Sequence, residues 1–362
     1  MSTESDGPVL ACVDDFERRA EELLPRMVFD YYAGGAGEEW TLRENRAAFA
    51  RWALRPRVLV DVSSRDLSTS VLDTPVALPV LVAPTAIHRM AHPEGEVATA
   101  RAAARAGTIM TLSTLASATI EEVAAAAPAA ARWFQLYVHR DRALTEDLVA
   151  RAVAAGYGAI VLTVDTPMLG IRDRDTRNRY TTPEGITMAN LATRLPQVDG
   201  SGLFAYMAER HEAGLSWTDI EWLRSLSDLP LVLKGVMTEE DTRLAVDHGV
   251  DAVVVSNHGG RQLDGVLPTL EALPEVVEGA AGRLEVLMDG GIRRGSHVLK
   301  ALALGARAVL VGRPVLWGLA VAGEDGVTAV LEILRAELDN ALAIVGCPRV
   351  RDVEASLVAR RA

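Results

Sequence analysis

Eight short runs of mostly β-branched and aliphatic residues recur along the chain, with helix-compatible segments between them. The runs are Val80–Ala83, Thr108–Leu112, Trp133–Val138, Ala159–Val164, Leu231–Lys234, Ala252–Ser256, Glu285–Asp289 and Ala308–Gly312. Apolar strands that alternate with helices are typical of a parallel sheet covered by helices. Eight such units predict a (β/α)8 barrel, the TIM-barrel fold of the α/β class. A doubly wound sheet is the alternative fold, and it is disfavoured because no GxGxxG motif follows the first run.

The helix-compatible segments support the same architecture, because several end at a glycine, the residue that most readily adopts a left-handed conformation after a helix. The segments are Glu94–Ala106, Ile120–Ala127, Thr145–Ala155, Glu239–His248 and Arg294–Leu304, and the glycines are Gly107, Gly156, Gly249 and Gly305. Two further helices, Val13–Leu24 and Met27–Ala33, are predicted before the barrel. Because barrels commonly exceed the usual domain size as single units, we predict one domain over residues 1–362.

The connection after the fourth run is far longer than the others. From residue 172 to residue 216 the chain is polar and weakly periodic, with prolines and glycines throughout. Long loops in compact domains often cover functional sites. We therefore predict an active-site lid over residues 172–216.

Charge and composition argue against several classes of protein. The chain has 37 Lys and Arg against 49 Asp and Glu, a net charge of −12, which makes a nucleic-acid surface improbable. Its two cysteines, Cys12 and Cys347, have neither disulfide-framework nor zinc-site spacing, so we predict a reducing, cytoplasmic setting and no metal. The apolar stretch from Ala308 to Gly323 contains Arg313 and Pro314, so we predict no membrane segment.

Polar or glycine residues follow almost every run. In a barrel, the C-terminal ends of all strands face one opening, so these residues are predicted to meet at one site. They are Pro84, Thr85 and Ala86; Ser113; Gln135 and Tyr137; Thr163 and Asp165; Lys234; His258 and Arg261; Asp289, Gly290, Gly291 and Arg293; and Gly312 and Arg313.

The string SNHGGRQLD, from Ser256 to Asp264, is the most informative of these. It places an imidazole, a guanidinium and two glycines directly after an apolar strand. This combination suits a substrate that has a carboxylate for Arg261 and a labile proton for His258. The alternative is a strand-end turn in which both side chains cap backbone carbonyls, and the length of the string favours the functional interpretation.

The pieces that follow the last two runs indicate a phosphate site. Asp289-Gly290-Gly291 and Gly312-Arg313 bring glycine backbone amides and guanidinium groups to the position where barrel enzymes commonly hold phosphate. The phosphate could belong to a substrate or to a cofactor. Two roles for Lys234 are compatible with the sequence at this point. It could be the partner of an anion, or a Schiff-base lysine whose pKa burial has lowered.

Taken together, these strings resemble the FMN-dependent L-2-hydroxy-acid oxidase and dehydrogenase family, the glycolate oxidase group. The resemblance extends from about Val13 to Cys347. The matching strings are DYY at 30–32, APTA at 83–86, HPEGE at 92–96, FQLY at 134–137, LTVDTP at 162–167, LKGV at 233–236, the His258 string and DGG at 289–291.

The resemblance implies FMN as the cofactor. It places the phosphate at Gly291, Arg293, Gly312 and Arg313, and the ribityl chain near Asp289 and Gly290. The ring would lie against Pro84, Thr85, Ala86, Ser113, Gln135, Thr163, Lys234 and Ser256. The charge of Lys234 would then stabilise negative charge on the reduced ring.

The resemblance also assigns the substrate contacts. Arg261 and Tyr31, with help from Arg172, would bind the carboxylate, and Tyr137 would lie at the substrate hydroxyl. His258 would be the base, with Asp165 orienting its ring. Two substrate protons remain open to His258, the one on Cα and the one on the hydroxyl group.

Within the family, Leu115 stands where glycolate-type members carry a bulky aromatic side chain. Leucine leaves room for an aryl group, so the predicted substrate is (S)-mandelate or 4-hydroxymandelate, as in the 4-hydroxymandelate oxidase group. Tyr206 or Thr114 are the candidates to hold a para-hydroxyl. Membrane-bound members of the family often carry glycine where this chain has Ala86. The alanine therefore favours an enzyme that passes its electrons to O₂, so O₂ is the other expected partner and H₂O₂ the expected product.

Two alternatives to this oxidase remain open at the level of the sequence. One is a monooxygenase of the lactate monooxygenase type, which decarboxylates the oxo acid. The other is a non-redox, phosphate-binding lyase or isomerase that uses Lys234. The resemblance further implies a homo-oligomer, a tetramer or an octamer.

Overall fold

The computed structural model describes residues 9–192 and 211–361, and within them eight parallel strands close into a barrel. Each barrel strand pairs with its neighbours in the chain, and the last pairs with the first, which confirms the predicted (β/α)8 fold. The strands are β1 Trp52–Leu54, β2 Thr69–Val71, β3 Thr74–Val76, β4 Val80–Val82, β5 Met110–Ser113, β6 Arg132–Leu136, β7 Ile160–Thr163, β8 Leu231–Val236, β9 Ala252–Val255, β10 Glu285–Met288, β11 Ala308–Val311 and β12 Val358–Arg360. Strands β4 to β11 form the barrel.

The helices surround the barrel, and each predicted helix is confirmed to within three residues. They are α1 Val13–Leu23, α2 Arg26–Ala33, α3 Trp40–Ala47, α4 Gly95–Ala106, α5 Ile120–Ala126, α6 Arg142–Ala154, α7 Asp173–Arg177, α8 Asp219–Ser225, α9 Glu239–Asp247, α10 Thr269–Ala280, α11 Gly295–Ala303 and α12 Arg313–Val345. Short 3₁₀ turns lie at Ala48–Arg51, His88–Met90, Val350–Asp352 and Ala355–Leu357. The glycines predicted to follow helices have positive φ values.

Side chains of the barrel strands alternate between the interior and the surrounding helices. Leu81, Trp133, Val254 and Leu310 belong to one buried cluster that fills the barrel. Their strand neighbours belong to the larger cluster that packs against the helices. Because a filled barrel is close-packed, the strand ends form a rigid floor for the site above them.

Two small antiparallel pairs complete the sheet structure. The hairpin of β2 and β3 contributes Val71 and Val76 to the interior cluster. Strand β1 pairs with β12, which ties the region before the barrel to the C-terminal end of the described chain.

Helix α12 is the one helix in the described ranges that is long and apolar enough to cross a membrane by length and composition, with a mean hydropathy of 1.2. Its helical geometry is interrupted at Ala322 and Gly323. Of its most apolar window, 61% is buried within the protein, where it packs against α1, α4 and α11. The apolar side chains of this helix therefore form part of the hydrophobic core.

The predicted lid is only partly described. Its first residues form helix α7, which contacts α2, so this part is ordered structure and not the loop that weak periodicity predicted. Residues 193–210, which include Tyr206, lie outside the described residues.

Strand register brings the polar strand-end residues side by side. Ser113 is paired with Gln135, and Thr163 with Lys234. The register shifts after Lys234, where Gly235 has a φ of +115°. A side chain at Gly235 would clash, because its Cβ would lie 2.6 Å from the Cβ of Asp165. Glycine at this position lets Asp165 approach the neighbouring strand.

Candidate active site

A cavity with about 1080 Å³ of empty space, part of it open to solvent, lies at the C-terminal ends of the barrel strands. Of the residues predicted for the site, all but Asp165 and Ser256 line it. They are Tyr31, Pro84, Thr85, Ala86, Ser113, Leu115, Gln135, Tyr137, Thr163, Arg172, Lys234, His258, Arg261, Asp289, Gly290, Gly291, Arg293, Gly312 and Arg313.

His258 and Asp165 form the central pair of the site. The imidazole Nδ1 lies 3.0 Å from Asp165 Oδ1, which also accepts a hydrogen bond from the Thr166 hydroxyl. The backbone at His258 is left-handed, with a φ of 57°, and the next two residues are glycines with positive φ. This left-handed turn directs the imidazole back to Asp165. Strained backbone conformations of this kind are common at functional sites.

The charge states of this pair favour a base. Burial lowers the pKa of His258 below its ordinary value of 6.5, although Asp165 opposes the shift. Burial alone would raise the pKa of Asp165, but His258 and Lys234 outweigh it and lower that pKa. At neutral pH the site therefore holds a neutral imidazole beside a carboxylate, and Nε2 is available to accept a proton.

Lys234 is buried in a network of its own. Its Nζ lies 3.1 Å from Asp289 Oδ2 and donates to Ser256 Oγ at 2.9 Å. Burial alone would lower the pKa of Lys234, but Asp289 and Asp165 outweigh it and raise the pKa. The amine therefore stays an ammonium ion, which disfavours the Schiff-base alternative.

Ser256 differs from its predicted place on the cavity wall. It is fully buried, and its hydroxyl also accepts the backbone N–H of His258 at 3.1 Å. The strand end turns it inward, so it supports Lys234 and His258 and does not reach the cavity.

An amide and two hydroxyls form a continuous chain along one wall. The Ser113 hydroxyl donates to Gln135 Oε1 at 3.2 Å, and Gln135 Nε2 donates to Thr163 Oγ1 at 2.9 Å. The neighbouring Thr114 hydroxyl donates to the backbone carbonyl of Gln135 and accepts the backbone N–H of Tyr137. Thr114 does not line the cavity. Thr114 is therefore not placed to hold a para-hydroxyl.

Two cavity arginines are anchored by backbone carbonyls near the end of α2. Arg261 Nη1 donates to the carbonyls of Tyr31 at 2.6 Å and Gly34 at 3.0 Å. Arg313 donates to the carbonyls of Tyr32, Gly34 and Gly259 at 2.8–2.9 Å. Neither guanidinium pairs with a carboxylate within residues 9–192 and 211–361. The cap alternative therefore holds for Arg261, which binds backbone carbonyls, but not for His258, whose imidazole pairs with Asp165. Arg261 also carries a charge that no carboxylate in the described ranges balances.

The other two arginines have acidic partners at longer range. Arg172 Nη1 lies 3.7 Å from Asp175, and Arg293 Nε lies 3.6 Å from Glu17. Burial and the positive charge of Arg261 lower the pKa of Arg172 to about 10, and burial lowers that of Arg313 as well. An excess of buried positive charge is costly unless anions bind it, so the cavity is built for anionic ligands.

Sequence reasoning missed several residues of the cavity wall. They are Tyr32, Ala83, Leu169, Gly259, Leu310, Val311, Pro314 and Leu316. Most are apolar neighbours of predicted residues, so proximity in the chain was a usable signal. Leu169 is different, because it lies beyond the end of β7 and only the path of the chain brings it to the wall.

The FMN-dependent dehydrogenase family matches residues 20–360, nearly the whole chain. The chain belongs to this family. An L-lactate oxidase of Nostoc sp. is 54% identical over 95% of this chain and 96% of its own length. The human 2-hydroxyacid oxidase 1 is 51% identical over 97% of both. A crystal structure of mandelate oxidase with (S)-4-hydroxymandelic acid superposes with a TM-score of 0.90, 46% identity, and 95% and 97% coverage of the two chains.

The family match gives FMN as the cofactor, and the relatives at 51–54% identity over nearly the whole chain place it among the 2-hydroxy-acid oxidases. The non-redox lyase or isomerase is therefore excluded as an alternative. The cavity fits FMN by its own features as well. Asp289 Oδ1 is buried with no hydrogen-bond partner in the described part of the chain, and a ribityl hydroxyl could donate to it. Arg313 beside Gly312 offers positive charge for a phosphate at the same cavity.

Proposed function

We propose that this enzyme oxidises an aryl (S)-2-hydroxy acid, mandelate or 4-hydroxymandelate, to the 2-oxo acid, with O₂ reduced to H₂O₂. The observation that supports this most directly is one cavity that is lined by three kinds of group. These are the His258 imidazole, the Arg261 guanidinium and the apolar side chains of Leu115 and Leu169. A base, an anion site and an apolar site within one cavity match the three parts of such a substrate.

The carboxylate is assigned to Arg261, Arg172 and Tyr31. Arg261 uses Nη1 to hold backbone carbonyls, which leaves its other nitrogens for a ligand. The guanidinium carbon lies 5.1 Å from the centre of the Tyr31 ring, so cation and phenol present a joint surface. A guanidinium fixes a carboxylate in one orientation, which places Cα of the acid near the imidazole.

The proton is assigned to His258. With Nδ1 held by Asp165, the Nε2 atom accepts a proton from the substrate, and Asp165 stabilises the imidazolium formed. Burial raises the pKa of Tyr137, so its phenol stays protonated and can donate a hydrogen bond to the substrate oxygen. FMN, held in the cavity beside Lys234, would supply the acceptor for the two electrons that leave Cα and the route by which they reach O₂. Atoms balance, because the acid loses two hydrogens and O₂ gains them.

The ammonium of Lys234 supports the same assignment. It lies at the cavity wall beside Thr163, and its pairing with Asp289 keeps it charged. A fixed positive charge stabilises electron density that arrives on a bound heterocycle without any need to reorganise.

Leu115 and Leu169 are the residues on which the proposal of an aryl substrate rests. Both leucines line the cavity, and a leucine takes up less of it than a bulky aromatic side chain would. The solved mandelate oxidase with (S)-4-hydroxymandelic acid supports this choice. A second candidate substrate is a short aliphatic acid, because one of the relatives reported above is an L-lactate oxidase at 54% identity.

A panel of 2-hydroxy acids separates these candidates. Glycolate, lactate, mandelate and 4-hydroxymandelate are compared by O₂ consumption and H₂O₂ release, together with product analysis. We expect the highest kcat/KM for the aryl acids and the intact 2-oxo acid as product. A preference for lactate contradicts the aryl assignment, and a shortened acid with CO₂ indicates the monooxygenase reaction.

The size of residue 115 is predicted to control this preference. In Leu115→Trp, the larger ring occupies the space for the aryl group, so kcat/KM for mandelate should fall by roughly 10- to 100-fold, the usual range for size selection in apolar pockets. Activity with lactate should change little, since its methyl group does not need that space. Leu115→Met keeps the volume and serves as the control. Equal losses for both acids would contradict the assignment.

The pH profile is predicted to follow His258. Protonation of the imidazole removes the base, so kcat/KM should fall as the pH drops through the pKa of His258, which burial lowers below 6.5. Activity should therefore persist at pH 6.5 and decline only in more acidic buffer. In Asp165→Asn the negative partner is lost, so the acidic limb should move to still lower pH while the rate falls. An acidic limb well above 6.5 would contradict the assignment of His258 as the titrating group.

A further inference from the structure

Arg172 is the cavity arginine with a buried acidic partner on its own stretch of chain. Asp175 lies three residues on, in helix α7, and its Oδ2 is 3.7 Å from Arg172 Nη1. Both side chains are almost fully buried, at 4% and 2% exposure. Arg172 lines the cavity, whereas Asp175 does not. The guanidinium therefore stands between an acid behind it and the ligand space in front of it.

This ion pair is incomplete. A distance of 3.7 Å is too long for a hydrogen bond, and Asp175 Oδ2 is buried without any hydrogen-bond partner in the described ranges. A buried carboxylate in this state is under-satisfied and costly. Burial accordingly raises the pKa of Asp175, although Arg261 and Arg172 oppose the shift.

Arg172 is also only loosely held on its other sides. Its Nε donates to the Arg261 carbonyl at 3.4 Å, near the limit for a hydrogen bond. Arg261, by contrast, is fixed by carbonyls at 2.6 and 3.0 Å. The two guanidinium groups assigned to the substrate carboxylate thus differ. Arg261 is held firmly by backbone carbonyls, whereas Arg172 can pair either with Asp175 or with a bound acid.

We propose that Asp175 is a positioning residue that competes with the substrate carboxylate for Arg172 and so weakens the binding of acids to the site. This inference rests on the proposed function, because it needs Arg172 to contact the substrate. Binding of an acid exchanges one ion pair for another, since Arg172 exchanges its long contact with Asp175 for a carboxylate that has free acceptor positions. The enzyme thereby keeps affinity for its acidic substrate and product below what two arginines would otherwise provide.

Asp175→Asn in the FMN-loaded enzyme tests the proposal. Phenylacetate has no hydroxyl to oxidise, so its Kd can be measured from the change in flavin absorbance without turnover. Phenylacetamide, of the same shape and without charge, is the matched ligand. We expect phenylacetate to bind on the order of tenfold more tightly in Asp175→Asn, because a nearby buried negative charge is removed, while the Kd of phenylacetamide is unchanged. The KM for the hydroxy acid should fall with it.

The same helix supplies the control. Asp173 is 46% exposed and pairs with Arg177 at 2.7 Å, so Asp173→Asn removes an equal charge from α7 at the surface. Both ligands should bind this variant as they bind the parent. A purely structural role for Asp175 predicts that Asp175→Asn weakens both ligands together, and either that result or an unchanged Kd for phenylacetate overturns the proposal.

Asp175→Glu keeps the test decisive if Asp175→Asn loads FMN poorly. The longer side chain carries its charge closer to Arg172, so phenylacetate should bind several-fold more weakly and phenylacetamide as before. Unchanged binding of the acid overturns the proposal here too. Failure of the proposed function is seen separately in the parent, which then oxidises no aryl acid. Propionate and propionamide replace the aryl pair in that case.

Discussion

His258→Ala is expected to slow the bleaching of the bound flavin by substrate by roughly 10²- to 10⁴-fold, the usual contribution of a general base. The imidazole is the neutral group aimed at the cavity, and Asp165 can stabilise its protonated form. The measurement is anaerobic stopped-flow absorbance with mandelate. Within residues 9–192 and 211–361, His258 makes no hydrogen bond or ion pair with Arg313 or Asp289, so the variant should retain FMN and its yellow colour.

Binding and chemistry separate in this experiment. The Kd of phenylacetate should stay within a few-fold of the parent value, because Arg261 and Arg172 are untouched. Ser256→Ala, which alters the hydroxyl that accepts the His258 N–H without removing the imidazole, provides a graded comparison and should cost far less. Near-parent bleaching by His258→Ala would falsify the assignment of the base.

Arg261→Lys is expected to lower kcat/KM for the hydroxy acid by roughly 10²- to 10³-fold. Lysine keeps the positive charge but lacks the planar guanidinium group. Its single ammonium has fewer N–H donors and cannot bind the Tyr31 and Gly34 carbonyls and a carboxylate at the same time. The loss should be visible in both KM and kcat, because a misoriented acid places Cα away from His258.

The control for this variant is Arg177→Lys. Arg177 is an exposed arginine on α7 that pairs with Asp173, and its replacement should leave kcat/KM unchanged. Steady-state rates of O₂ consumption across a range of substrate concentrations give both constants. A loss of less than about threefold in Arg261→Lys would contradict the assignment of the carboxylate site.

Much of the fold follows from local pattern. The buried strands IVLT, AVVV and AVLV are apolar on both faces, which only a sheet covered on both sides can bury, and the glycines after the helices mark where each helix ends. Most of the site residues followed from the same pattern, since a barrel brings the C-terminal strand ends together. Tyr31, Leu115 and Arg172 followed only from the resemblance to the family. The roles given to them, the cytoplasmic location, the single domain and the oligomeric state stay predictions.

Local pattern was a poor guide where contacts join distant parts of the chain. Ser256 was predicted at the cavity wall, yet the turn after β9 directs its hydroxyl to Lys234, 22 residues away in sequence. Helix α7 is too short and too polar to show a helical period, and it forms where it can pack against α2. Its Asp175 carries no sequence signal of its connection with Arg172 beyond a spacing of three.

The order of strands and helices, and the set of polar residues at one end of the barrel, were determined by the sequence alone, because periodicity and strand ends are properties of neighbouring residues. The tertiary structure decided which of those residues pair. Lys234 with Asp289, His258 with Asp165, and Arg261 with the carbonyls of α2 are contacts between separate elements. Charge states depend on burial and on such partners, and both are set only when the chain closes into the barrel.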